Sequence, residues 1–259
     1  MNVFNAYSNY YNTLYKDKDY SNETSFVLQI LKKYNCSPKT ILDLGCGTGL
    51  HAIEFFKNNI FVTGIDLSET MINIGREIIA SSCLRDSPCP TPEISQGDLR
   101  NIELKKSFDA VISLFHVMSY QNSEEDALSM MLTAKKHLAD SGLFLFDFWY
   151  GPGVLTDPPH IREKILEDEN IKGLRTAKPL HKVNENIVEV HYDISFVDKI
   201  TGEENTLNEC HSMRYWFIPE LKYLAKQAGF TFLSYGSWLS EALPEINTWN
   251  VWILLQPKT

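Results

Sequence analysis

Between residues 21 and 149 short, continuously apolar runs alternate with segments whose apolar side chains recur at helical spacing. Phe26, Val27, Ile30, Leu31 and Tyr34 share one helical face, Pro38 breaks the chain, and Ile41-Leu42-Asp43-Leu44 follows as a buried strand. A helix over about 48 to 57 leads to a strand at 60 to 65, and Ser68 is suited to cap a helix that runs to Ile79. Residues 108 to 115 are a further apolar run, a helix is expected over roughly 123 to 138, and Gly142 opens a strand that ends near Phe148. Strands without polar alternation must be covered on both faces, and strands separated by helices run parallel. The expectation is an α/β, Rossmann-like fold, a mainly parallel sheet with helices on both faces.

That rhythm stops at Gly151-Pro152-Gly153 and Asp157-Pro158-Pro159. After a short charged run at 162 to 170 no helix is evident before 215, and Val188, Val190, Tyr192, Ile194 and Phe196 alternate with polar residues, as in a strand buried on one face. Residues 199 to 204 read as a hairpin turn with Gly202 at positive φ, and 206 to 217 as the return strand. Residues 150–215 are therefore expected to form a small antiparallel β insert that caps the substrate or makes a homodimer surface. Residues 1–149 and 216–259 make up the core, with about 1–35 as an N-terminal lid. The core resumes with a helix at about 218 to 228, stopped by Gly229, and two strands near 230 to 236 and 249 to 255.

A chain of 259 residues can bury a core without staples. Its cysteines, Cys36, Cys46, Cys83, Cys89 and Cys210, are odd in number and lack CxxC or Cys/His spacing, so neither a disulfide framework nor a metal site is indicated, and a cytoplasmic location fits. The polar, aromatic N-terminus and the absence of an apolar run of roughly eighteen residues give no support to secretion or membrane spanning. Lys and Arg total 24 against 33 Asp and Glu, a formal charge of -9 that disfavours nucleic acid.

The first strand runs into Gly45-Cys46-Gly47-Thr48-Gly49. Glycines at alternate positions between a strand and a helix let the backbone approach a ligand where a Cβ would clash. Leu50 follows Gly49, so the spacing is GxGxG and not the GxGxxG of dinucleotide sites. Asp66, at the end of the second strand and seventeen residues beyond Gly49, can accept hydrogen bonds from both hydroxyls of a ribose, or else cap the next helix. Asp43 and the Gly97-Asp98-Leu99 step after the expected third strand agree with the first of these.

Residues 41 to 49, Ile65-Asp66-Leu67-Ser68, Gly97-Asp98-Leu99 and residues 108 to 115 resemble the successive motifs of the class I S-adenosylmethionine-dependent methyltransferases, and the likeness extends over nearly the whole chain. The resemblance implies a seven-stranded sheet with a reversed final hairpin and S-adenosylmethionine as cofactor, leaving as S-adenosylhomocysteine. It places the methionine part over Asp43, Gly45, Cys46, Gly47, Thr48 and Gly49, the ribose on Asp66, and the adenine between Leu67 and Leu99 with Asp98 at its exocyclic amine. Met71, Leu114 and Phe115 belong to the same implied set, and Tyr20 covers the methionine end. The insert and Asp147-Phe148-Trp149-Tyr150 at its start are similar in layout to the N-methyltransferases of nucleotide-linked amino sugars, with glycine and sarcosine N-methyltransferases more distant. Where those amino-sugar enzymes align a histidine near the end of the active-site segment, this chain has Tyr120.

Methyl transfer from a sulfonium is an in-line displacement, in which alignment supplies roughly 7 to 11 kcal/mol. An alkylamine with a pKa of about 10.4 costs roughly 4 to 5 kcal/mol to deprotonate at pH 7, so an amine acceptor profits from a base and a carboxylate does not. The segment after the fourth strand offers His116 and Tyr120. His116, with a reference pKa of about 6.5 against about 10, is the better matched general base, unless it only caps the strand. Tyr7, Tyr10, Tyr11 and Tyr15, with Trp149, Tyr150 and Trp216, either close over a small polar substrate or pack the insert on the sheet. Tyr10, Tyr15, Trp149 and Tyr150 are the substrate-site candidates among them. Arg214 joins them if it meets an anionic substrate group, its alternative being the many carboxylates nearby. Asp157-Pro158-Pro159-His160 resembles the catalytic tetrapeptide of DNA amino-methyltransferases but follows the fifth strand, not the fourth, and reads as a turn. The expected function is methyl transfer to the nitrogen of a small amine, amino sugars before glycine-like molecules. The alternatives are O-methylation of a hydroxyl or carboxylate and a cofactor-binding regulator without turnover.

Overall fold

In the computed structural model, which describes residues 18–83, 87–167 and 171–258, the apolar runs pair into one sheet. The chain passes through α1 (Tyr20–Lys33), β1 (Thr40–Leu44), α2 (Leu50–Lys57), β2 (Phe61–Asp66), α3 (Glu69–Ser82) and β3 (Glu93–Gln96). It continues through β4 (Phe108–Ser113), a 3₁₀ turn at Val117–Tyr120, α4 (Glu124–Lys136), β5 (Leu138–Trp149) and the short α5 (Gly151–Thr156). Four strands follow, β6 (Arg162–Glu167), β7 (Ile171–Lys182), β8 (Ile187–Asp198) and β9 (Glu204–Arg214), before α6 (Ile218–Gln227), β10 (Phe230–Ser237) and β11 (Asn250–Pro257).

The seven-stranded sheet has the order β3-β2-β1-β4-β5-β11-β10, parallel except for β11, which is antiparallel to both neighbours. This is the mainly parallel sheet with a reversed hairpin that the motifs imply. Consecutive residues of one strand feed opposite cores, as period-2 geometry requires. Leu42, Val111 and Phe144 face α4 and α6, whereas Ile41, Ile112 and Leu145 face α1 and α2. A strand buried on both sides is therefore apolar at nearly every position, with Asp43, Thr63, Ser113 and Asp147 the buried polar exceptions. Ser68 caps α3 by accepting from the Met71 amide at 3.3 Å, and Gly229 ends α6 at φ +76°.

The second sheet, β6-β7-β8-β9, is antiparallel throughout. Gly202 turns the β8–β9 hairpin at φ +74°. The charged run at 162 to 170 contributes a strand, β6, in which only Leu166 is buried, and β7 is a second strand that the polar pattern did not announce. Leu166, Ile171, Ile194 and Phe196 pack on Met71 of α3, which seats this sheet against the core near the end of β2. Among the described residues no helix is long and apolar enough to cross a membrane.

Candidate functional site

Chain order in the main sheet reverses direction between β1 and β4, and in open α/β sheets a crevice forms there beyond the carboxyl ends of the strands. A cavity of about 430 Å³ lies at this place. The turns after β1, β2 and β3 form one part of its wall, and the segment after β4, the end of β5 and β9 form another. Tyr20, Gly45, Cys46, Gly47, Thr48, Asp66, Leu67, Met71, Asp98, Leu99, Leu114 and Phe115 line it, as do His116, Tyr120 and Trp149. Asp43, Gly49, Tyr150 and Arg214 do not. Tyr10 and Tyr15 lie outside the described residues, as do Tyr7 and Tyr11.

Asp66 organises the cofactor turn. Its Oδ2 accepts the Gly47 amide at 2.8 Å and its Oδ1 the Ser68 amide at 2.9 Å. A carboxylate has about four lone-pair positions, so each oxygen keeps capacity for a ligand hydroxyl. Burial pushes its pKa up, against these two amides. Gly47 sits at φ +54°, and a Cβ built there would meet no atom within 4 Å. The space it would enter is cavity. Gly49 is different: its Cβ would lie 3.1 Å from Ile79 Cδ1, so this glycine serves the left-handed start of α2 and the packing of α3, not ligand approach. Asp43 lies beneath the turn at 2 % exposure, and burial followed by the charge of Asp66 raises its pKa to about 7. Asp98 reaches the cavity already bound in a fork by Arg100, at 2.9 and 2.6 Å, which holds its pKa low, and Arg100 continues to Asp126. Leu67 is 56 % exposed, an apolar flank beside Asp66 without protein cover. Open space over a glycine amide, a carboxylate with spare acceptor capacity and an apolar flank fit the turn, ribose and base of S-adenosylmethionine.

At the other part of the wall Phe115 and His116 both occupy the left-handed region, at φ 66° and 65°. Two such non-glycine residues in a row cost roughly 1 to 2 kcal/mol each and need external support. The support comes from Asp147 of β5, whose two carboxylate oxygens accept the His116 amide at 3.1 and 3.2 Å. The ring Nδ1 of His116 also lies 2.7 Å from Asp147 Oδ2, at an angle too bent for a hydrogen bond. Ser119 Oγ accepts the Trp149 amide at 2.9 Å, and Trp216 Nε1 donates to the Met118 carbonyl at 3.2 Å. The Lys18 ammonium lies 4.4 Å from the Phe115 ring centre and 4.5 Å from that of Tyr20. Burial lowers the pKa of His51, so its ring is neutral at pH 7 and its Nε2 hydrogen-bonds Glu23 at 2.7 Å. Burial alone would raise Glu23, but His51 and the paired Lys18 outweigh it and hold Glu23 at about 2.

The wall from β9 was not foreseen. Tyr192, His211 and Met213 line the cavity with Gln121 and Asn122. The Tyr120 hydroxyl lies 2.8 Å from His211 Nδ1, and His211 Nε2 lies 3.2 Å from Glu209 Oε2. The sequence signal for this was the alternation in β8 and the return strand read after it; within β9 only Leu207 and Met213 mark the face of His211 as apolar. Tyr150 follows Trp149 along β5 and points the other way, packing edge-on against Phe148. Arg214 lies over the Trp216 ring at 4.0 Å and pairs with Glu124 and Glu220, which places it with protein carboxylates and away from the cavity. Among the described residues one trio of metal-donor side chains comes together, Glu189, His191 and Cys210, on the face of β8 and β9 opposite His211, with Glu189 paired to Lys182.

Residues 41–142 match the family model described as a methyltransferase domain. The chain is similar, at 26 % identity over 183 residues, to the dTDP-3-amino-3,4,6-trideoxy-alpha-D-glucopyranose N,N-dimethyltransferase of Streptomyces venezuelae, covering 70 % of this chain and 71 % of that protein. Its fold is that of an S-adenosylmethionine-dependent methyltransferase from Clostridium acetobutylicum, with a TM-score of 0.80 at 19 % identity over 100 % of both chains. The SAM-bound amino pentose methyltransferase from Micromonospora echinaspora, involved in calicheamicin biosynthesis, aligns over 97 % of both chains with a TM-score of 0.72 at 18 % identity.

Proposed function

Because the chain is an S-adenosylmethionine-dependent methyltransferase, built around a methyltransferase domain at residues 41–142, we propose that its acceptor is the amine nitrogen of a small polar molecule, a nucleotide-linked amino sugar first of all. One observation carries this reading: two side chains able to take a proton, His116 and Tyr120, line the same cavity as Gly47 and Asp66. S-adenosylmethionine supplies an electrophilic sulfonium methyl, which only an aligned lone pair can accept. An ammonium must shed a proton to offer that lone pair, at a cost of roughly 4 to 5 kcal/mol at pH 7. A carboxylate acceptor would have no use for such a wall.

Asp66 would hold the ribose with its remaining lone pairs, and the turn at Gly47 would pass close under the methionine part. Trp149, Tyr192 and Met213 give the acceptor a largely apolar surround that excludes water, and the second sheet acts as the substrate cap. The name of the Streptomyces venezuelae relative, an N,N-dimethyltransferase of a dTDP-linked amino sugar, supports the choice of acceptor. A panel containing a dTDP-amino hexose, glycine, sarcosine and hydroxyl or carboxylate analogues, followed by S-adenosylhomocysteine release and product mass, tests it. Turnover confined to amines is expected. Turnover on hydroxyl or carboxylate acceptors alone, or cofactor binding with no turnover across the panel, would overturn the reading.

A further inference from the structure

Cys210 is the exposed one of the chain's five cysteines, Cys36, Cys46, Cys83 and Cys89 being buried. The register of the second sheet sets it directly across from His191, with Glu189 two residues along on the same face of β8. His211 and Tyr192, whose rings meet on the cavity side, alternate with Cys210 and His191, so the trio occupies the other face of the sheet. Cys210 Sγ lies 3.9 Å from His191 Nε2, which in turn lies 3.8 Å from Glu189 Oε2, and one donor atom from each residue falls within 4.8 Å of the others. Tetrahedral zinc has bonds of about 2.3 Å to sulfur and about 2.0 to 2.2 Å to nitrogen and oxygen, which sets its ligand atoms roughly 3.4 to 3.6 Å apart. The spacings here exceed that by a few tenths of an ångström, within reach of small side-chain rotations. Lys182 holds the other carboxylate oxygen of Glu189, Oε1, and so keeps Oε2 turned toward the imidazole. Sequence spacing carries no sign of the trio, because 19 positions separate His191 from Cys210 and only strand pairing brings them together.

We propose that Glu189, His191 and Cys210 form a binding site for a thiophilic divalent metal, zinc first of all, on the outer face of the second sheet. A set of one sulfur, one imidazole nitrogen and one carboxylate oxygen suits zinc and disfavours calcium or magnesium, which take oxygen ligands. The Cys210 thiol gives its proton to solvent as the metal–sulfur bond forms, His191 binds as neutral imidazole through Nε2, and Glu189 binds through Oε2. Three protein ligands leave a fourth position for water, and the His191 side chain, 48 % exposed, gives it an open approach. An ion held there ties β8 to β9, the strand whose other face brings His211 and Met213 to the cavity wall. The site is separate from the cofactor turn and stands whether or not the acceptor is an amine.

Cobalt(II), a spectroscopic substitute for zinc, tests this on the full chain after treatment with a chelator and its removal. Titration of the wild type should saturate at one ion per chain, with the near-ultraviolet charge-transfer absorption of a cobalt–thiolate bond, and zinc should displace the ion. Cys210→Ser should lose that absorption. His191→Ala and Glu189→Gln should weaken binding by at least the roughly 10- to 100-fold that loss of an outer partner costs at metal sites. S-adenosylmethionine affinity, measured by calorimetry in each variant, controls for folding. A second measurement needs no variant: alkylation of Cys210 in the native protein, located by peptide mass, should be slowed by zinc and restored by chelator. Absorption that persists in Cys210→Ser, equal affinities in the wild type and all three variants, alkylation indifferent to zinc, or saturation only at millimolar metal would each overturn the site.

Discussion

Asp43 shows how a single buried carboxyl shapes the behaviour of the cofactor turn. Its ordinary pKa of 3.8 is raised to about 7 by burial, with Asp66 adding to the shift. The folded chain thus binds this proton more tightly than the unfolded chain. The resulting stabilisation is complete below about pH 3.8 and is lost as the pH rises through about 7. Urea titrations should therefore show a contribution on the order of 4 kcal/mol declining across this window, and Asp43→Asn should flatten that part of the profile. Equal slopes in the two proteins would remove Asp43 as its source. Asp66→Ala should weaken S-adenosylmethionine binding by at least ~100-fold, because hydrogen bonds to a charged group are worth about 1.5 to 3 kcal/mol each and the Gly47 amide loses its anchor as well. Calorimetry checks it, and an affinity within threefold of wild type would sink the ribose assignment. Residue chemistry also explains what could be read in advance. Asp66 and Gly47 lie in contiguous motifs, whereas Tyr120 meets His211 across 91 positions of sequence. No periodicity records such a contact.

Elements differ in how plainly they are written. The central strands β1, β4 and β5 are buried on both faces for most of their length and so appear as mainly apolar runs, and β8, buried on one, appears as alternation. β6 buries a single residue and looks like a charged helix or loop, and β7 carries Gly173 and Pro179, residues that weaken any strand signal. β7 pairs along the edge of β8 and β6 along the edge of β7, so each strand has a partner that lies outside its own composition. Arg214 belongs to this level too. At the end of β9 it reaches Glu124 at the start of α4 and Glu220 in the first turn of α6, so it ties the second sheet to two helices of the core. Arg214→Ala should cost about 1 to 2 kcal/mol of stability in denaturant melts, the Glu124 side being partly solvated, and leave the acceptor KM unchanged. A KM raised tenfold at constant stability would return Arg214 to the substrate.

For the whole molecule the governing quantity is its charge of -9. Ligands of opposite sign are drawn toward such a chain and those of like sign are held off, and salt screens both effects over about 10 Å at 0.1 M. S-adenosylmethionine, with an ammonium and a sulfonium against one carboxylate, should associate more slowly as salt is added. An acceptor linked to a nucleoside diphosphate should show the reverse, with kcat/KM rising between low and moderate salt, whereas a simple cationic amine should follow the cofactor. Stopped-flow binding and initial rates over a salt series decide between these, and a falling kcat/KM for the nucleotide-linked acceptor would contradict the expectation. The second sheet enters and leaves the core at one point: Tyr150 bridges Trp216, the Gly151 amide donates to the Trp216 carbonyl, and the Trp216 amide donates to the Trp149 carbonyl, both at 2.9 Å. Two stems clasped side by side make the intervening residues a cassette. If the second sheet is the substrate cap proposed above, grafting or recombination between these stems should exchange one acceptor preference for another while the turn at Gly47 is inherited unchanged.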